Sequence, residues 1–159
     1  MRTWIFGDNI DTDVIVPGRY LAESQEELAK HLFEPIILLF AQNVRRGDII
    51  VAGRNFGCGS SREQAASGLK YVGIYAVIAE SFARIFFRNC ISIGLPAIIC
   101  KEVGRNFHEG DEAEFLFREA YLKNLTTGRT VKTVPLPPFI LSLIERGGIL
   151  SMLKEKYST

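Results

Sequence analysis

Three short apolar runs constrain this chain more than any other feature: IIVA at 49–52, IYAVIA at 74–79 and AIIC at 97–100. Almost nothing polar interrupts them, so each predicts a strand buried on both faces rather than a half-solvated one. The intervals between them carry helical spacing. From 61 to 72, Ala65, Ala66, Leu69 and Val72 stand at i, i+1, i+4 and i+7, and Gly73 ends the pattern where a helix C-terminus favours glycine. Ser81 sits where it could cap a second helix over 82–90, and Gly94 with Pro96 closes it. Strand–helix–strand–helix–strand with continuous apolar strands predicts an α/β fold with a parallel βαβαβ core. A ligand then belongs at the carboxyl ends of the strands.

The flanks are less regular. Residues 3–6 predict a strand and Gly7-Asp8-Asn9 a turn. Asp11-Thr12-Asp13 leads into Val14-Ile15-Val16, a β-branched run stopped by Pro17 that reads as a second strand mouth. Its carboxylates and hydroxyl suit either an Asx-type turn or a polar site. In 18–34, Ser24 and Glu27 have capping-box spacing ahead of an apolar stripe of Leu28, Leu32 and Phe33, so a short amphipathic helix is expected with His31 on its solvated side. The run IILLF at 36–40 is too short to assign by period. Beyond 103, segments at 113–117, 121–125 and 130–134 predict an added antiparallel hairpin or meander. Pro137-Pro138 opens a helix, and Gly147-Gly148 separates it from a last one at 149–157. With 159 residues and no linker-like stretch, one domain over 1–159 is expected.

Charge and cysteine content exclude several classes. A formal charge of +1 makes no electrostatic case for nucleic acid or membrane as a partner. No apolar run approaches the roughly 20 residues that span a bilayer. Cys58, Cys90 and Cys100 fit neither a disulfide framework nor a zinc site, and a cytoplasmic setting follows as the expectation.

The chemistry concentrates in residues 54–63, RNFGCGSSRE, immediately after the IIVA run. Glycines at 53, 57 and 59 let main-chain amides approach a ligand, and Ser60, Ser61, Arg62 and Glu63 follow at a helix start. Ser60 and Glu63 also match a capping box, S-x-x-E, worth about 1 kcal/mol and purely structural. The stretch is not G-x-G-x-x-G, since Arg62 occupies the third glycine position, nor a P-loop, nor the G-x-S-x-G elbow. Cys58 as a nucleophile would need His31 or His108 as its base. Ser60 as a base would need strong positive potential around its oxygen. From the residues alone the reading is an anion-binding α/β domain, either catalytic or a non-catalytic binding module.

Two stretches carry a more specific likeness: GDNIDTDVIVPGRYL at 7–21 and GRNFGCGSSREQAASGLKYVGIYAVIAESFARIFFRNCISIGLP at 53–96. Together they resemble the small subunits of the 3-isopropylmalate dehydratase family, which are similar to the swivelling domain of aconitase. The resemblance implies a swivelling β/β/α domain and a hydro-lyase that isomerises 2- and 3-isopropylmalate by dehydration and rehydration in leucine biosynthesis. It implies no cofactor on this chain, a 4Fe-4S cluster on an iron–sulfur large subunit, and a heterodimer or heterotetramer, with self-association possible for the isolated subunit. By the same resemblance Ser60 removes the carbon-bound proton, Ser61 and Arg62 hold a substrate carboxylate, and Asp13 with Thr12 supports the site. Glu63 has no matching role and stays a cap. Tyr20, Leu21, Ala22 and Glu23 fall in the substrate-choosing loop. Homoaconitase-like chains place Arg after Tyr-Leu, where this chain has Ala22 and then an acid. That favours a small 2-hydroxy acid with an apolar branch, isopropylmalate or dimethylmalate, over homoaconitate.

Overall fold

A computed structural model describes residues 1–158. Strands β1 (Thr3–Ile5), β2 (Ile49–Ala52), β3 (Ala76–Ala79) and β4 (Ala97–Ile99) form one parallel sheet in that order. Register explains why their sequences are apolar throughout. Trp4, Ile50, Val77 and Ala97 line up across the sheet and face one core; Ile5, Val51, Ile78 and Ile98 line up beside them and face the other. With side chains alternating along each strand, both sets must be hydrophobic.

The first core is roofed by helices. The crossover helices α4 (Glu63–Tyr71) and α5 (Arg84–Ser92) pack on the sheet through Ala65, Ala66, Leu69, Phe86 and Cys90, joined by Leu28, Leu32, Phe33 and Phe40 from the 18–43 region. That region carries α2 (Gln25–Ala29) and α3 (Phe40–Asn43). The second core is closed by a second sheet of β5 (Ala113–Leu116), β6 (Tyr121–Asn124) and β7 (Thr130–Lys132), with α6 (Val103–Asn106) between them. The layers are therefore β/β/α, as the family resemblance implies. The expected hairpin is a three-stranded antiparallel meander, β7 pairing with β6 through Leu122 and Val131. Helix α7 (Pro138–Glu145) starts on the expected proline, and α8 (Ile149–Tyr157) follows the glycine pair. No helix among the described residues is long and apolar enough to cross a membrane.

Four local expectations are corrected. The β-branched run after Asp13 is not a strand but part of a one-turn helix, α1 (Thr12–Ile15); Asp11 caps it by accepting from the Asp13 amide at 2.8 Å. Capping by the side chain outweighs the β preference of Val14 and Ile15, and Ile15 and Val16 are buried in the helix-side core. Ser81 does not cap α5, which begins behind Ala83; its hydroxyl accepts instead from the Asn55 amide at 2.8 Å. Helix α4 begins at Glu63 behind Arg62, not at 61. His31 is not a solvated helix residue: its ring stacks on Tyr20 at 3.7 Å and its Nδ1 lies 2.6 Å from a Glu34 carboxylate oxygen.

Asp48 ties β1 to β2. Its carboxylate, 4% exposed, accepts from the Arg2 guanidinium at 2.7 Å, the Trp4 indole at 2.9 Å and the Arg45 amide at 2.9 Å. Burial alone would push this carboxyl up, but the Arg2, Arg45 and Trp4 donors together hold it below the usual aspartate range. A depressed carboxyl stabilises the fold above its unfolded value, and that contribution is lost as pH falls through the folded value. Asp48→Asn is therefore expected to destabilise the chain at neutral pH. It should also flatten the loss of stability below about pH 4, the range of an unfolded aspartate, in urea titrations at a series of pH values. An unchanged acid limb would contradict the assignment.

Candidate active site

The site is built at the carboxyl end of β2, where the chain leaves the sheet at Gly53. Two glycines there are obligatory. Gly57 has φ +80° and a Cβ on it would stand 2.2 Å from the Phe86 ring; Gly59 has φ +90° and a Cβ would stand 2.4 Å from the Asp11 carboxylate. The loop is thus pressed against α5 on one side and against the 11–16 segment on the other. Main-chain bonds from Gly57 to the Ile10 carbonyl and from Thr12 to the Cys58 carbonyl, both 2.8 Å, lock the two stretches together. The Thr12 hydroxyl, buried, donates to the Ser60 carbonyl at 2.7 Å.

Ser60 is exposed and its hydroxyl bonds to no other described residue. The capping-box reading of Ser60 and Glu63 fails, because Arg62 occupies the N-cap position of α4 and no side chain caps that helix. The main-chain amides of residues 59–64 therefore have no acceptor among the described residues. Consecutive free amides after glycines with positive φ, at the start of a nine-residue helix, form a nest of partial positive charge.

Arg62 reaches back across the cleft. Its guanidinium pairs with the Asp13 carboxylate at 2.6 Å and donates to the Val16 carbonyl at 2.9 Å, and its side chain is 15% exposed. The guanidinium also packs under Gly18, the first residue of the turn that leads into the 20–23 stretch. Thr12, Ser60, Ser61 and Arg62 line one cleft of about 280 Å³, with Asp13 joined to it through Arg62.

The 20–23 stretch does not line this cleft. Tyr20 is turned onto His31, Leu21 packs on the helix-side core, and Ala22 and Glu23 are exposed to solvent. The link to the site runs through Gly18 and Val16 against Arg62. The far wall of the cleft is α5, through Arg84, Ile85, Phe86 and Asn89. None of these is expected from sequence, which treats α5 only as a crossover. The available signal was a cation in the first turn of a helix that has no acid there.

Other chemistries fit poorly. Burial, and then the Asp11 charge, push the Cys58 thiol up rather than down, and neither His31 nor His108 bonds to it, so a Cys–His nucleophile is not assembled. Cys90 and Cys100 are buried in the two different cores, on opposite faces of the sheet, with Cys100 pushed up by burial to about 11. These three thiols cannot share a cluster. A separate cavity of about 560 Å³ lies at the opposite, amino ends of β3 and β4 beside Tyr75 and Leu95, and none of the candidate residues lines it.

Comparison with known proteins identifies the family and the fold. The family model for the aconitase C-terminal domain matches residues 7–102, which contain both halves of the cleft. The chain is 50% identical over 156 residues to "3-isopropylmalate dehydratase small subunit 1" of Methanopyrus kandleri, covering 98% of this chain and 92% of that one. It is 53% identical over 151 residues to "Methanogen homoaconitase small subunit" of Methanothermobacter thermautotrophicus, covering 94% and 87%. A crystal structure of 3-isopropylmalate dehydratase from Methanocaldococcus jannaschii superposes with a TM-score of 0.92 at 42% identity, over 98% of this chain and 92% of that one.

Proposed function

The chain belongs to the aconitase C-terminal domain family, and we propose that its Ser60 cleft is the proton-abstracting half of a hydro-lyase active site. It acts as the small subunit of a 3-isopropylmalate dehydratase-type enzyme in leucine biosynthesis, as the names of its relatives indicate. The reaction removes water across two adjacent carbons of a 2-hydroxy acid and returns it in the opposite sense.

One observation carries the assignment of Ser60: an exposed hydroxyl free of internal hydrogen bonds, beside free amides at residues 59–64 and the Arg62 guanidinium. A serine hydroxyl is a weak acid, and only a concentrated positive potential makes its oxygen a useful base. Such a serine takes the proton from the substrate carbon, and the same proton-bearing oxygen returns one on rehydration. The amides and Ser61 receive the neighbouring carboxylate. Arg62, oriented by Asp13 and Val16, shares that carboxylate with Ser61, and Thr12 fixes the Ser60 main chain.

The leaving hydroxyl needs an activating group on the other side of the substrate. The chain's own thiols do not fit an iron–sulfur cluster, which supports placing the 4Fe-4S cluster on a large subunit. Assay of the chain with a cluster-bearing large subunit against a series of 2-hydroxy acids tests the reading. Turnover of at least one member is expected, and failure with every cognate large subunit would overturn it.

Substrate choice is assigned to the two exposed residues of the 20–23 stretch, which lie outside the cleft of this chain and would face substrate where the large subunit closes over it. Ala22 supplies no cation and Glu23 repels a further carboxylate, favouring isopropylmalate or dimethylmalate over homoaconitate. Ala22→Arg is expected to shift the kcat/KM ratio toward a substrate with an additional carboxylate by about tenfold or more, the value of a charge-assisted hydrogen bond. An unchanged ratio would remove this stretch from substrate selection.

A further inference from the structure

We propose that Arg84 binds the second carboxylate of the substrate, opposite the one received by Ser61 and the amides of the Ser60 loop. This rests on the reading of that cleft as a hydro-lyase site. The chemistry demands two anion sites: isopropylmalate and its close homologues carry a carboxylate at each end of the carbon pair that loses water. The cleft is lined by two guanidinium groups, and they are not equivalent. Arg62 is 15% exposed and already compensated, with Asp13 at 2.6 Å and the Val16 carbonyl at 2.9 Å. Arg84 is exposed, lines the same cleft as Ser60 and Ser61, and makes no ion pair or side-chain hydrogen bond among the described residues.

Its placement is unfavourable without a ligand. Arg84 is the first residue of α5, where the helix already presents its positive end, and no acidic residue stands in that first turn. The neighbouring loop adds its free amides. Arg84 has no acid paired with it among the described residues, whereas a structural arginine would have one, so its charge is free to meet an anion entering the cleft. Phe86, two residues on, is buried against Gly57, so the turn carrying Arg84 is held at a fixed distance from the Ser60 loop. That fixed spacing between Arg84 and the amide nest is what a dicarboxylate of defined length can read.

The test uses the complex reconstituted with its cluster-bearing large subunit. Arg84→Ala is expected to raise KM for the dicarboxylate by about 10- to 100-fold, the loss of one charge-assisted contact, with kcat within a few-fold. Arg84→Lys should fall between the two, and added methylguanidine should recover part of the alanine variant's affinity, which a purely structural role would not allow. The small subunit's thermal midpoint should not move, because the side chain has no internal partner. Unchanged KM overturns the proposal. So does weakened assembly with the large subunit while KM at saturation stays normal, which would make Arg84 a subunit contact. Ser60→Ala assayed in parallel separates the two claims: if it turns over normally the site reading fails, and if it is inert while Arg84→Ala is normal, only the role of Arg84 fails.

Discussion

Ser60→Ala, in the enzyme reconstituted with its large subunit, is expected to lower kcat by about 10²–10⁴-fold with KM little changed, the range over which a positioned general base accelerates proton transfer. The structure also makes a second, opposite-facing demand on this variant. Were Ser60 the cap of α4, its loss would cost about 1 kcal/mol and lower the thermal midpoint by about 2–4 °C in a chain of this size. With Arg62 in the cap position and the Ser60 hydroxyl unbonded, no such shift is expected. The combination of a large loss in turnover and an unmoved melting curve is specific to a catalytic serine. A melting shift with near-normal kcat would return Ser60 to a structural role.

Gly57→Ala is expected to destabilise the chain by about 3 kcal/mol, combining overpacking with the cost of a left-handed backbone at a residue carrying a Cβ. The new methyl would stand 2.2 Å from the Cγ and 2.4 Å from the Cβ of Phe86, at φ +80°. Phe86 cannot step aside, since it is 2% exposed and packs edge-on against Phe56 at 5.3 Å. On the usual scale of domain stability this is a substantial fraction of the total, and a fall of about 10 °C in thermal unfolding should be visible. Gly7→Ala is the control, for nothing lies within 4 Å of its added methyl and its φ is unremarkable. Adding Phe86→Leu to Gly57→Ala should cost less than the two changes summed, because each relieves the other. Strict additivity, or wild-type stability of Gly57→Ala alone, would show that the loop relaxes freely and that its geometry is not set by α5.

The parallel sheet was legible because its strands are buried on both faces, a condition that writes itself into IIVA and AVIA without reference to distant residues. The site loop was legible for a related reason: glycines 57 and 59 exist to permit close approach, and their cost is local. Errors arose where a side chain serves a partner far along the chain. Val14 and Ile15 look like strand residues until Asp11 caps the turn beneath them. Ser81 looks like a cap until it is seen accepting from Asn55. Ser60 and Glu63 have capping-box spacing, yet the chain enters α4 two residues later than the motif requires, so the amides stay free. His31 looks solvated by period, and only tertiary structure stacks it on Tyr20. The cleft wall formed by Arg84 and Asn89 is not legible in the sequence, because the apolar spacing of α5 signals only packing and the helix carries both roles.

The most direct test of the central claim is hydrogen exchange at the reacting carbon. The reconstituted enzyme is incubated with substrate in D₂O, and incorporation of deuterium at the carbon that loses its proton is followed by NMR. The wild-type complex should label substrate and product as it interconverts them, while the Ser60→Ala complex should bind substrate with similar affinity and leave that position unlabelled. Deuterium entering at a near wild-type rate in the Ser60→Ala complex would contradict the account and require a different base.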